Sequence, residues 1–346
     1  MKMNKHVAII GGGPSGLECA AALAKMGVSV MLFERETETG GHLRQWNELF
    51  PDRRNSKDVL DLLCGNHQTI DGIEIFSDTT VKRIGKIGKK FSVYAGDKEP
   101  CLTDAVVLAT GFDLFNAARK EEYGYGIYDN VITSADLEQM FASPEKLVTH
   151  QGIVPRRIGF VHCVGSRDEK AGNLYCSKVC CITAVKQAIE IKQLLPQSHA
   201  TCFYMDLRMY GRHFEELYNE AQEKWNVNFI RGRLSEAVED KDGSVIVKVE
   251  DTLTGRPLKM NVDLLVLMVG MVPSANAPEI ATNKPVAFGQ DGFMLPPDPH
   301  VANNKSDTPG LFFAGTCTGP KSISETLADA RAAALEVLSF LKDDQQ

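Results

Sequence analysis

A glycine loop near the start of the chain constrains the fold more than any other segment. Gly11-Gly-Gly13-Pro14-Ser15-Gly16 contains G-x-G-x-x-G, between a short apolar run, His6-Val-Ala-Ile-Ile10, and an Ala-rich stretch, Leu17 to Met26, that ends at Gly27. Strand, glycine turn and helix in that order form the context in which the pattern binds a dinucleotide. The glycines permit a tight turn, and backbone N–H groups at the helix start donate to a pyrophosphate. Val28 to Glu34 supplies the second strand of a βαβ unit. Glu34 lies 18 residues after Gly16, where a carboxylate accepts hydrogen bonds from a ribose.

Beyond this unit the pattern changes. Ile73–Phe76, Phe91–Tyr94 and Asp104–Leu108 are short β-runs separated by Gly, Lys and Asp, which predicts an antiparallel meander rather than another crossover. A second α/β region opens at Ile158-Gly-Phe-Val-His162, with helices expected over Ser177–Leu195 and His213–Trp225 and a strand over Thr201–Met205 between them. Ser244–Glu250 and Val262–Val269 are further strands, the first set off by Asp242-Gly243. Gly310-Leu-Phe-Phe-Ala-Gly315 then precedes a long helix, Ser322–Leu341, for which Ser322 and Glu325 form a capping box. At 346 residues the chain has room for two domains. The order implies an α/β protein of two dinucleotide-binding, Rossmann-like domains, one inserted in the other. The expected division is 1–120 plus 255–346 for the outer domain and 121–254 for the insert.

Composition narrows the function. With 43% apolar and 24% charged residues the chain is of the soluble globular class. A net charge of −7 argues against nucleic acid, whose phosphates need a basic face, and no polybasic run suits a lipid surface. Leu264–Pro273 is apolar but about half the length of a membrane span. A strand follows His6 at once, so no signal peptide is expected. Nine cysteines without a secretory signal point to a reducing compartment, where metal binding or redox chemistry outranks structural disulfides. The cytoplasm is the expected location.

Four cysteines cluster as C-x12-C-x3-C-C: Cys163, Cys176, Cys180 and Cys181. Cys163 stands where a second dinucleotide fold would begin its glycine loop, and the other three are expected in the first turns of the Ser177 helix. A four-thiolate cluster is anionic, and a helix N-terminus favours anions. Buried unligated thiols, a structural zinc and a redox disulfide compete, although adjacent Cys180-Cys181 suits zinc knuckles poorly and C-x-x-C is missing. Cys19, within an apolar helix face, is expected in the core; Cys64, Cys101 and Cys202 show no partner pattern, and packing is the expected role of Cys317.

Gly40-Gly41 soon after Glu34, Val106-Val-Leu-Ala-Thr110-Gly111 and Gly310–Gly315 resemble the FAD domains of the pyridine nucleotide-disulfide oxidoreductases. This resemblance implies a glutathione/thioredoxin reductase-like fold and FAD contacts at Gly11, Gly13, Pro14, Ser15, Gly16 and Glu34. Arg35, Gly41, His42, Leu43, Val81, Thr110 and Gly111 complete that set from the first half of the chain, and Gly315, Thr316, Ser322 and Ile323 from its end. The superfamily usually carries Asp where this chain has Thr316. The four cysteines, with Gly165-Ser-Arg-Asp168, Tyr204-Met-Asp-Leu-Arg208, Phe229-Ile-Arg-Gly-Arg233, Met268–Ser274 and Ala314–Lys321, resemble the A subunit of heterodisulfide reductases over nearly the whole chain. In that family the four cysteines bind a [4Fe–4S] cluster. The chain lacks the ferredoxin-type C-x2-C-x2-C-x3-C-P runs and N-terminal extension of longer members, and is similar to the short A subunit of the complexes of sulfur-oxidising bacteria. The resemblance implies an electron-transfer flavoprotein, partners similar to the B and C subunits, and a homodimer. The dithiols of relatives are missing: Gly40–Trp46 holds no cysteine, and the insert has neither C-x-x-C nor G-x-G-x-x-G. Two other functions compete, an NAD(P)H-dependent flavin reductase and a zinc-bearing scaffold.

Overall fold

The computed structural model describes residues 4–96, 99–143, 145, 147–277, 280 and 286–343. In chain order its principal elements are β1 (His6–Ile10), α1 (Pro14–Lys25), β2 (Ser29–Phe33), α2 (Ser56–Thr69), β3 (Ile73–Phe76), β4 (Val81–Ile87), β5 (Lys90–Ala95), β6 (Cys101–Thr103) and β7 (Ala105–Leu108). Then come β8 (Val131–Thr133), α3 (Ser134–Phe141), β9 (Arg157–Val164), α4 (Cys180–Leu194), β10 (His199–Tyr204), α5 (Phe214–Glu223) and β11 (Asn228–Arg231). β12 (Leu234–Glu239), β13 (Val245–Asp251), β14 (Arg256–Val262), β15 (Leu264–Val269), β16 (Leu311–Phe313) and α6 (Ile323–Asp343) complete the series.

These elements make two compact units. One comprises 1–44, 57–113 and 272–346, and the other 45–56 and 114–271. The second is thus inserted in the first, with its far boundary at 271 rather than near 255, because β14 and β15 both pair within it. Segment 45–56 also belongs to it, although the sequence order suggested otherwise.

The first unit is a parallel sheet in the order β16-β7-β1-β2-β3. Strand periodicity sends alternate residues of β1 to opposite faces. Val7 and Ile9 pack with the small residues of α1 and α6, among them Cys19, Ala20, Ala330, Ala333 and Ala334, whose size lets the helices approach closely. Ala8 and Ile10 meet the other layer, where Ile84, Phe91 and Val93 come from the antiparallel sheet β4-β5-β6. The expected meander is therefore only part of 73–108. Ile73–Phe76 pairs parallel to β2, and Ala105–Leu108 pairs parallel to β1. A short apolar run carries no signal for parallel or antiparallel pairing.

The second unit repeats the plan: a parallel sheet, β8-β15-β9-β10-β11, with an antiparallel sheet, β12-β13-β14. Ile158 and Phe160 of β9 and Val266 of β15 pack on Ile182, Val185 and Ile189 of α4. That helix begins at Cys180, three residues later than the sequence suggested, so Cys176 precedes it. At the chain's end the expected capping box is present: Ser322 N–H donates to Glu325 at 2.9 Å, and Glu325 N–H donates to the Ser322 hydroxyl at 3.3 Å.

Candidate cofactor sites

In the first unit β1 passes to α1 through only Gly11, Gly12 and Gly13, with Pro14 opening the helix, where its missing N–H costs nothing. Gly11 has φ +108°, and a side chain there would meet the Ala109 carbonyl oxygen at 2.3 Å. At Gly16 a Cβ would come within 1.9 Å of the Gly11 oxygen. A Cβ on Gly13 would meet open space. The loop is thus packed tight on two sides and bare on the third, which is the cradle a pyrophosphate needs. Glu34, buried, accepts from Gly12 N–H at 2.7 Å and Glu36 N–H at 2.9 Å. Each carboxylate oxygen has a second lone pair left for a ribose hydroxyl.

The other expected flavin contacts lie in the same unit. Gly41 has φ +53°, and a Cβ there would lie 3.2 Å from Gly13 Cα. His42 Nε2 is 2.9 Å from the Phe112 carbonyl and its ring stacks on Phe112 at 4.5 Å. Leu43 and Val81 are core residues, and Arg35 is exposed and paired with Glu36 at 3.2 Å. Thr110 carries a buried hydroxyl with no hydrogen-bond partner among the described residues, beside Gly111 at φ +71°. A Cβ at Gly315, φ +78°, would strike Ser15 at 2.6 Å, and one at Gly111 would lie 3.9 Å from the Thr316 hydroxyl. Thr316 is buried, and Ser322 and Ile323 stand at the start of α6. The acidic group at this turn has no signal in the motif itself: Asp329, two turns into α6, accepts from Gly315 N–H at 2.6 Å. Cys317 is buried and donates to the Leu108 carbonyl at 3.2 Å; burial pushes its thiol up to about 12, so it packs. Cys19 is likewise buried in the core, and burial takes it to about 12. The orphan Thr110 hydroxyl, the bare Gly13 edge and the carboxylate on the loop together fit FAD.

In the second unit the equivalent connection, β9 to α4, runs through residues 165–179. Cys163, Gly165, Arg167 and Lys178 all have positive φ, at +59°, +74°, +52° and +64°. Three of these are not glycine, a conformation that persists only where surrounding contacts hold it. Cys163, Cys180 and Cys181 are buried, and their thiols act on one another electrostatically. The neighbouring Cys180 thiol lowers Cys163, while Cys180, beside both other thiols and buried, is raised. Cys181 is drawn down to about 4 by Cys180 and by His162 against its burial. Cys176, half-buried, accepts from Lys178 N–H at 3.3 Å. Burial alone would push His162 down, but the thiols of Cys181 and Cys202 beside it hold it near 10. The approach of Cys202 had no signal in the sequence.

Among the described residues no three His, Cys, Asp or Glu side chains converge as on a single metal ion. A four-iron cluster makes a different demand, one thiolate for each iron and donors for its sulfides. Orphan polar atoms of the required kind occur in this loop: Arg167 Nη1 and the Ser166 hydroxyl are buried without hydrogen-bond partners among the described residues. Four thiols with that surround fit an anionic iron–sulfur group.

Ion pairs hold the loop. Asp168, buried, lies 2.7 Å from Lys120 and 2.8 Å from Arg233; although burial raises its carboxyl, Lys120 and Arg233 hold it low overall. Asp206 takes Arg167 at 2.7 Å and Arg231 at 3.4 Å. The segments Gly165–Asp168, Tyr204–Arg208 and Phe229–Arg233 are therefore one lattice. Tyr210, Arg212 and His213 are exposed.

Deeper in this unit Lys186, 1% exposed, pairs with Glu138 at 2.5 Å and Glu190 at 2.8 Å and donates to the Glu48 carbonyl. Asn47 donates its N–H to Glu138 and its amide to Glu190, so this buried group fastens segment 45–56.

Comparison with known proteins agrees with this geometry. Residues 1–127 match the pyridine nucleotide-disulphide oxidoreductase family. The iron-sulfur A subunit of the CoB–CoM heterodisulfide reductase of Methanocaldococcus jannaschii is 31% identical over 97% of this chain and 64% of its own length. An iron-sulfur A subunit of the Methanopyrus kandleri enzyme is 32% identical over 96% and 64%. Over most of its length the chain is similar to heterodisulfide reductase A subunits. It spans just under two thirds of the length of these relatives, which are oxidoreductases. Its fold is that of thioredoxin reductase: the Lactococcus lactis enzyme covers 98% of this chain and all of its own at TM-score 0.70 and 18% identity. The T. acidophilum thioredoxin reductase gives 0.66 at 18%. No helix among the described residues is long and apolar enough to cross a membrane.

Proposed function

We propose that the chain is an electron-transfer subunit that carries FAD in its first unit and a [4Fe–4S] cluster in its second. The observation that carries this reading is the β9–α4 junction, where Cys163 at the end of β9, Cys176 in the loop and Cys180 and Cys181 at the start of α4 stand at the position of a nucleotide loop, in company with the buried, unpartnered Arg167 Nη1 and Ser166 hydroxyl. When bound, FAD exchanges electrons in pairs and the cluster exchanges them singly. Gly11, Gly13 and Gly16 would receive the pyrophosphate, Glu34 the ribose, and Cys163, Cys176, Cys180 and Cys181 the irons.

The relatives' names support a place as the A subunit of a heterodisulfide reductase-like complex; subunits similar to B and C are the partners in this reading, and the sulfur chemistry is assigned to them. Cytoplasmic sulfur oxidation and a homodimeric core complete the proposal. Its test is anaerobic purification and reconstitution followed by flavin, iron and zinc analysis. About one FAD and four irons per chain are expected. Stoichiometric zinc without iron would sink the cluster.

A further inference from the structure

We propose that Arg167 is the positioning residue of the thiol loop, supplying a fixed positive charge and a hydrogen-bond donor that stabilise the reduced form of a cluster held by Cys163, Cys176, Cys180 and Cys181. The proposal rests on the cluster reading above and deepens it.

The backbone places Arg167 between the two cysteine-bearing segments. Ser166 N–H donates back to the Cys163 carbonyl at 3.3 Å, and Arg167 N–H donates to the Tyr175 carbonyl at 2.8 Å, so Arg167 ties the turn after Cys163 to the residue before Cys176. Its left-handed φ of +52° is held by these bonds. The guanidinium is divided. Nη2 donates to Asp206 at 2.7 Å, and Arg231 donates to the other oxygen of the same carboxylate at 3.4 Å, which fixes the plane of the fork. Nη1 is buried and has no partner among the described residues. Besides Asp206, the anions that act on this guanidinium are the sulfurs of Cys163 and Cys176. Of the other two cations of the loop, Lys178 lies over the Tyr210 ring at 6.0 Å and Lys170 is exposed.

A charge and an N–H fixed this way act differently on the two oxidation states. The reduced cluster carries one more negative charge, so a neighbouring cation favours it and raises the midpoint potential, as does a hydrogen bond to cluster or thiolate sulfur. Asp206 works in the opposite sense by partly neutralising the guanidinium while orienting it.

The test uses the full chain, reconstituted anaerobically as wild type, Arg167→Gln, Arg167→Lys and Asp206→Asn, with iron content and an EPR-monitored redox titration of each. Full iron in all four is expected. The midpoint should move to more negative values in Arg167→Gln, stay nearer the wild type in Arg167→Lys, and move to more positive values in Asp206→Asn. Opposite shifts from the two partners of one ion pair are not what a merely structural role produces. If Arg167→Gln loses iron, Arg167→Lys decides: retained iron at a near-wild-type potential supports the proposal, and lost iron overturns it. An unmoved midpoint in iron-replete Arg167→Gln overturns the role of Arg167 alone. A wild type that takes up no iron overturns the cluster reading and this proposal with it.

Discussion

The two units of this protein share a five-stranded parallel sheet and an antiparallel annex, and they differ most at one connection. In the first, β1 reaches α1 in three residues, all glycine; in the second, β9 reaches α4 in fifteen, three of the first four buried. A three-residue turn leaves helix N–H groups open to a phosphate. The fifteen-residue loop brings its own ion pairs and buried side chains there instead. The same end of the same fold thus presents a glycine cradle in one unit and a cysteine-bearing loop, to which the proposal assigns a cluster, in the other. Fold position marks where a ligand binds, while the length and chemistry of the connection decide which ligand it is.

The comparison breaks most severely at Gly16. Gly16→Val places carbon within 1.9 Å of the Gly11 oxygen, so the loop must open. Flavin in the purified protein should fall to near zero while reconstituted iron stays close to the wild-type value. Gly13→Ala has open space, so the protein should fold and lose FAD affinity by about tenfold or more, since only the approach of the ligand is obstructed. Released flavin, measured by absorbance, checks both. Equal flavin in Gly13→Ala and wild type would show that the bare edge is not the cradle.

The converse substitutions test the second connection. Cys180→Ser should abolish iron and keep most of the flavin, whereas Cys19→Ser, in the core of the other unit, should leave iron unchanged. Iron lost from Cys19→Ser but kept in Cys180→Ser would refute the ligand set. A smaller effect concerns activity. With no nicotinamide glycine loop between β9 and α4, the isolated chain with NADPH should reduce small disulfides negligibly and turn over one-electron acceptors slowly. Steady NADPH-driven disulfide reduction would favour a self-contained reductase.

Legibility followed how tightly geometry restricts residue type. The Gly11–Gly16 loop was readable because a tight turn beneath a helix admits only glycine at 11 and 16, and the Ser322/Glu325 box because capping requires those side chains. The cysteine spacing was readable as a group, but the start of α4 was misplaced, since Ser177-Lys-Val179 is compatible with helix and only the left-handed Lys178 excludes it. Arg167 and Asp206 stand in segments that carry the family resemblance, yet their pairing was not readable, because an ion pair 39 residues apart leaves no local trace. Lys186 and Glu190 were the least visible. Their i, i+4 spacing suggests a solvated face, yet Ile182, Ala184, Val185, Ala188, Ile189 and Ile191 surround them, and a helix apolar on nearly every side is a buried one. Asp329 was hidden for the opposite reason: the acid expected at 316 arrives from another element.

That buried group gives the smallest effect and the clearest sign. Burial, with Glu138 and Glu48 nearby, raises Glu190 to about 7, although Lys186 opposes the shift. Lys186 from α4, Glu138 from α3, and Glu48 and Asn47 from segment 45–56 face it. The folded state therefore holds a proton on Glu190 that the unfolded chain releases from pH 4.5 upward. Between those values the native state binds more protons than the unfolded one, so stability from this group is full below about 4.5 and is lost as pH rises through about 7. Glu190→Gln cannot titrate, and its thermal midpoint should lose less between pH 5 and pH 8 than that of the wild type. The difference should be on the order of 2 kcal/mol, or roughly 4–8 °C. Replacing Glu18, on the opposite unit and paired with Arg331 at the surface, should leave the pH slope unchanged. Parallel slopes for wild type and Glu190→Gln would mean that Lys186 holds Glu190 ionised throughout, and that segment 45–56 is fastened by a permanent ion pair rather than by a proton.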